Sequence, residues 1–185
     1  YGCLVGSEMC IRDSNKDDGL ALYDSLLEVG VVPIGIETYA NSRRLEKSFR
    51  LQGAELETEY TAIEAAIQRP LVKEADFHGK AAHLAHREED PCAILCTMTL
   101  DNLNVSGKTR YPVGISPIID PATGEVPIDS KGRRSYTTGM SYCPSLKKFV
   151  VMGYLPKEIA IQGKSLLIES VSYTHLRAHE TAVNL

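Results

Sequence analysis

The chain has 185 residues, a net charge of −4 and 43% hydrophobic residues, enough for one domain of ordinary size or two small ones with a real core. The mildly acidic sum and the short basic cluster do not point to nucleic acid, and no apolar run approaches the ~20 residues that span a bilayer. Five cysteines, an odd number without framework spacing, point to a reducing, cytoplasmic setting; nine tyrosines, three phenylalanines and no tryptophan argue against an aromatic stacking platform.

Residues 1–14, YGCLVGSEMCIRDS, and 171–185, VSYTHLRAHETAVNL, resemble translated sequencing adapter of the kind found at the edges of metagenomic reading frames. Both are set aside as non-native tails. Cys3 and Cys10 go with them, as do His175 and His179. Those two histidines have the spacing of half a metal site on a helix, but they lack a third ligand. Residues 15–170 then begin abruptly at a helix, and the expectation is a truncated protein.

Asp17 and Asp18 precede GLALYDSLLEVG, where Leu20, Tyr23 and Leu27 repeat at helical spacing. This predicts an amphipathic helix with aspartates at its N-cap and Gly30 at its C-cap. Val31, Val32, Ile34 and Ile36 predict a strand, with Pro33 marking an edge or bend. Next comes the densest positive run, Arg43, Arg44, Lys47 and Arg50. On a helix Arg43, Lys47 and Arg50 share a face, Leu45 and Phe49 form an apolar stripe, and Glu46 can pair with Arg50. Such an element suits an acidic ligand or acidic neighbouring segments; the plain alternative is a solvated face with ordinary salt bridges.

Thr61-x-x-Glu64 predicts a capping box opening a short helix, AIEAAIQ, which Pro70 ends; Glu64 can alternatively face a ligand funnel. Leu71 to Glu74 reads as a short strand. Asp76 caps a second helix, FHGKAAHLAHREED, which Pro91 stops, and its His83 and His86 read as a solvated helix end. After Pro91 the composition shifts. CAILCTMTL is a strand that puts the buried free thiols Cys92 and Cys96 on one face. Turn-rich clusters at 102–109, 121–124 and 130–132 then separate YPVGISPII, GEVPIDSKG, SYTTGM, KFVVMGYL and SLLIES, the pattern of a barrel or sandwich. The sequon at Asn104 is discounted without a secretory signal.

Two motifs in this order resemble one family. In NSRRLEKSFRLQGAELETEYTAIEAAI, the residues Asn41, Ser42, Arg44, Leu45, Glu46, Lys47, Gly53, Glu55, Leu56, Thr61 and Glu64 match the folate-binding region of the glycine cleavage T protein (aminomethyltransferase) and of dimethylglycine and sarcosine dehydrogenases. Arg43 stands where Leu is usual and Ala62 where Pro is usual. In RSYTTGMSYCPSLKKFVVMGYLP, the residues Thr138, Gly139, Pro144, Ser145, Lys148, Gly153 and Tyr154 match the family's barrel motif, with Cys143 in place of a serine. No histidine lies near Cys143 in sequence to activate it as a nucleophile.

The resemblance implies an α+β fold: a partial aminomethyltransferase folate-binding domain over 15–90, then a small C-terminal β-barrel over 91–170. It implies tetrahydrofolate as cofactor, with Tyr39 and Arg44 as candidate folate contacts, and a small methylated amine as the partner substrate of an upstream part. The family's catalytic aspartate lies in an N-terminal half not represented here, and no G-x-G-x-x-G loop occurs in the chain, so FAD is expected only in an upstream domain. No catalytic residue and no metal ligand is assigned, and the piece alone is expected to be inactive. The E-K-x-x-R run is more like the flavin-linked dehydrogenases. So is Ala40, which stands where aminomethyltransferases carry a folate-contacting arginine. The alternatives are a glycine cleavage aminomethyltransferase, another folate-dependent demethylase, and a non-catalytic docking module that keeps the fold.

Overall fold

The computed structural model describes residues 14–68, 70–101, 114–170 and, for the backbone, 174–180. Cys3, Cys10, the turn-rich run 102–109 and the sequon at Asn104 lie outside the described residues. Helix α1 (Gly19–Glu28) comes first. A π-helical turn (Thr38–Arg43) runs directly into the short α2 (Arg44–Glu46), and α3 (Lys80–Glu88) follows. The strands are β1 (Ala93–Leu100), β2 (Ile118–Ile119), β3 (Thr137–Cys143), β4 (Lys148–Pro156), β5 (Ser165–Ser170) and β6 (Thr174–Glu180). They form one antiparallel sheet in the order β2-β5-β6-β1-β4-β3. The fold is thus mixed, with helices before the sheet in sequence. No helix among the described residues is long and apolar enough to cross a membrane.

Strand β4 is the sheet's spine. Its sequence, KFVVMGYLP, is apolar on both faces, as a strand covered from both sides requires. One face carries Phe149, Val151 and Leu155, which pack with Met98 and Leu100 of β1, Ile118 of β2, and Leu166 and Ile168 of β5. The other carries Val150, Met152 and Tyr154, which pack with Ala93 and Leu95 of β1, Cys143, and Leu45 and Ala65 from the segment before the sheet. The two ends of the sheet also approach each other. The Thr137 N–H donates to Ser116 O at 2.9 Å, the Ile118 N–H to Ser135 O at 3.1 Å, and Pro117 bridges Tyr136. Gly153 sits at this closure, where a Cβ would stand 2.6 Å from Tyr136 O and 2.7 Å from Ile118 Cδ1.

Strands β1, β3, β4 and β5 fall where alternation and apolar runs put them. The GEVPIDSKG run forms only isolated bridges, Asp120 with Glu125 and Ile128 with Arg134. Residues 174–180, set aside above as part of a tail, pair along β5 and along β1 at Met98–Leu100, so His175 and His179 stand on a strand rather than a helix.

Four local expectations change. The 31–36 run is no strand: among the described residues no neighbouring strand takes its backbone groups, and Val32, Ile34 and Ile36 are exposed. Leu71–Glu74 is irregular, with no ladder partner among the described residues. The AIEAAIQ helix is a single turn, because Ala66 adopts φ 53 and ends it. Helix α3 starts at Lys80 rather than after Asp76, since Gly79 at φ 83 breaks the backbone there.

At the start of the chain, α1 ends as expected. The Gly30 N–H donates to Leu27 O and the Val31 N–H to Leu26 O, a Schellman arrangement with glycine in the left-handed position. Its N-terminus differs. Lys16–Asp18 wind into a 3-10 turn, and no Asp18 side-chain cap bond forms.

Candidate functional site

The charged run Arg43–Arg50 does not form one helix. It stops at Glu46, and Ser48 turns at φ 53 with its hydroxyl 3.0 Å from Thr97 Oγ1 of β1. Arg50 therefore leaves the face of Arg43. Its guanidinium donates to Ala65 O at 2.8 Å and Ser48 O at 2.7 Å. Glu46 pairs with Arg43 at 2.8 Å instead of with Arg50. Leu45 goes into the core while Phe49 stays exposed, so the two do not share a stripe.

What this turn builds is a buried polar cluster that joins the two sequence motifs. Glu55 is fully buried. Its Oε2 accepts from Arg44 Nη1 at 2.8 Å and from the Leu51 N–H at 2.8 Å, and its Oε1 accepts from Thr138 Oγ1 at 2.8 Å. Its carbonyl accepts from Tyr154 Oη at 2.7 Å. Arg44, 8% exposed, also donates through Nε to Ala40 O and through Nη1 to Phe49 O. Both carboxylate oxygens of Glu55 and the Nε and Nη1 groups of Arg44 are thus met inside the protein, the kind of pairing under which a buried ion pair is tolerated. Gly139 is what lets the pair sit against β3: a Cβ there would stand 2.7 Å from Arg44 Nη2 and 3.2 Å from Glu55 Oε1.

A second link lies at the β3–β4 turn. Arg43 Nη1 donates to Ser145 Oγ at 2.8 Å, and Glu46 accepts the Ser145 N–H at 2.8 Å. That backbone bond comes first among the causes that hold the Glu46 carboxyl below its usual range.

A third cluster, with no clear signal in the sequence, centres on Arg133. Its guanidinium pairs with Glu64 and with Asp129 at 2.7 Å, donates to Glu59 O at 2.6 Å, and lies 4.3 Å from the centre of the Tyr60 ring. Tyr60 stacks on Tyr154 with ring centres 3.5 Å apart. The Asp129–Arg133 spacing of four, inside a turn-rich run, was the one trace of it. Glu64 is almost wholly buried and closes the expected box: the Thr61 N–H donates to its carboxylate at 2.9 Å and its own N–H donates to Thr61 Oγ1 at 3.2 Å. Burial alone would raise the Glu64 pKa. The bonds from Arg133 and the Thr61 N–H, with the charges of Arg133 and Lys131, outweigh it and pull the carboxyl down to about 2.

Of the two candidate folate contacts, Arg44 is held inside the cluster, whereas Tyr39 stands 69% exposed on the π-helical turn next to Ala40. Cys143 is fully buried, and burial, with the nearby Glu46 charge, pushes its thiol up to about 11, the opposite of an activated nucleophile. His83 and His86 are half-buried on α3. Among the described residues no group of three or more His, Cys, Asp and Glu is placed to hold a metal ion.

Aminomethyltransferase from Francisella tularensis is 29% identical over 157 residues, covering 80% of this chain and 39% of that protein. The chain is a relative of the aminomethyltransferases. Human mitochondrial dimethylglycine dehydrogenase is 28% identical over 169 residues, covering 83% of this chain and 17% of that protein. The chain thus spans about two fifths of the first relative and a sixth of the second. The crystal structure of glycine cleavage system aminomethyltransferase T from Bartonella henselae superposes with a TM-score of 0.69 at 21% identity, over 90% of this chain and 43% of that one, and so shares the fold. No protein-family model matches the chain. The aminomethyltransferase-like motifs are in this structure the joint between the helical segment and the sheet.

Proposed function

We propose that this chain is the folate-associated C-terminal region of a tetrahydrofolate-dependent one-carbon transfer protein, most like that of the flavin-linked dimethylglycine and sarcosine dehydrogenases. The observation that carries the reading is the Arg44–Glu55–Thr138 cluster. Residues of two motifs 83 positions apart, both matched by the resemblance to this family, meet there in one buried network. Ala40 favours the dehydrogenase branch. Residues 15–90 are read as the remaining part of the folate-binding domain and 91–170 as the C-terminal one, with the junction at Pro91 between α3 and β1. The hydrogen bonds from 116–118 to 135–137 support a sheet closed into a small barrel.

Bound tetrahydrofolate would accept the one-carbon unit. This chain's own part is to bind and orient. Tyr39 offers an open aromatic face for a planar ring, and Arg44 supports the turn that carries it without aiming at the ligand. The oxidising step and the methylated amine belong to a flavin domain in the same polypeptide. The test is calorimetric titration of the stable analogue 5-formyltetrahydrofolate into this chain and its Tyr39→Ala variant. Saturable binding, weakened about fivefold by loss of the ring, is expected. A folded chain that binds no folate would instead support the docking-module reading.

A further inference from the structure

We propose that Glu55 and Gly139 are positioning residues: through Arg44 they hold the π-helical turn that presents Tyr39. The inference rests on the reading of Tyr39 as a ligand contact, but its structural half stands without it. A π-helical turn is an uncommon geometry that needs support from outside its own ladder. Here the support is a continuous set of contacts. Thr138 and Tyr154, on the sheet, hold Glu55. Glu55 holds the Arg44 guanidinium, and Arg44 Nε donates to Ala40 O within the turn. Its other ties to the sheet lie at its far end from Tyr39, where Arg43 Nη1 donates to Ser145 Oγ at 2.8 Å and Cys143 Sγ donates to Ser42 O at 3.4 Å. Only Ser42 among its residues is buried, and its hydroxyl bonds Thr38 O at 3.3 Å within the same turn. Tyr39 itself makes no buried packing. Gly139 sets the distance, because any larger residue would push the Arg44 guanidinium off its place.

Arginine is required at this node by geometry as well as charge. Its planar head and Nε reach Glu55, Phe49 O and Ala40 O at once; a lysine ammonium can meet Glu55 but cannot span all three. Arg44→Lys therefore separates holding the sheet contact from holding the turn.

Hydrogen exchange by mass spectrometry on the full 185-residue chain tests this, comparing wild type with Arg44→Lys, Glu55→Gln and Gly139→Ala. Arg44→Lys is expected to speed exchange of the 38–43 amides by about tenfold while β4 amides keep their protection. Glu55→Gln should do the same or more. Gly139→Ala should loosen 38–43 at least as much, with β4 amides also exchanging faster because that variant is less stable overall, so the localisation is read from Arg44→Lys. Unchanged exchange at 38–43 in Arg44→Lys would overturn the inference, as would a rise spread equally over β4, which marks general destabilisation. Titration of 5-formyltetrahydrofolate on the same variants keeps the two claims apart. A loosened turn with weaker binding supports both. A loosened turn with unchanged binding keeps the positioning role and removes Tyr39 from the site.

Discussion

Gly139→Ala puts the smallest possible probe into the joint between the two motifs. The added methyl would lie 2.7 Å from Arg44 Nη2, so the guanidinium must retreat by about 0.7 Å to reach ordinary contact. A long side chain usually gives way easily. This one cannot, because its Nη1 bond to Glu55 is 2.8 Å and the same retreat takes it beyond hydrogen-bonding distance. Overpacking alone costs about 1–3 kcal/mol, and a buried pair that loses its partner costs about 3–5 kcal/mol. Partial loss of the pair places the total near ~3 kcal/mol. In a urea melt with a slope of about 2 kcal/mol/M, the midpoint falls by about 1.5 M with the slope unchanged. The decisive comparison repeats Gly139→Ala in a Glu55→Gln background, where Arg44 is no longer pinned by charge. There the alanine should cost clearly less. Equal costs in both backgrounds would show that the glycine serves β3 alone and that the pinning argument is wrong.

Three other outcomes follow from the structure. The bonds to Glu64 pull its carboxyl down to about 2 from the ordinary 4.5, so its pairing stabilises the fold fully above pH 4.5 and is lost as pH falls towards 2. About 3 kcal/mol is at stake, with roughly 2 kcal/mol gone by pH 3; urea midpoints at pH 7 and pH 3 should show this, and Glu64→Gln should flatten the acid limb. Leu45, 1% exposed in the core shared with β4, should cost about 3 kcal/mol on truncation to alanine by the same melt. Cys143, fully buried with its thiol pushed up to about 11, should stay unmodified by iodoacetamide at pH 8 in the folded chain while half-buried Cys92 reacts before it, read by peptide mapping.

The sheet was largely legible because its signals are local: β4 is apolar on both faces, β1 alternates, and turn-forming residues separate the rest. The same holds for the Thr61–Glu64 box and for Gly30, whose chemistry lies within a few residues. The charged run misled because helical spacing from Arg43 to Arg50 takes no account of Thr97, 49 residues away, which meets Ser48 and fixes a turn there. The 31–36 run has the composition of a strand, yet pairing depends on a neighbour that composition does not reveal. Arg44 was visible as a motif residue, but its role depends on Glu55 and Gly139, whose meeting is set by the fold. Arg133 carries little local signal because its partners Glu59, Tyr60 and Glu64 lie about 70 residues earlier.

The proposed central claim, that this region handles folate, is tested most directly by placing an arginine at Ala40, where the resemblance implies a folate contact. Calorimetric titration of 5-formyltetrahydrofolate into the wild-type chain and into Ala40→Arg should show saturable binding in the first and about tenfold tighter binding in the second. Two folded proteins that both release no heat and bind no folate would contradict it.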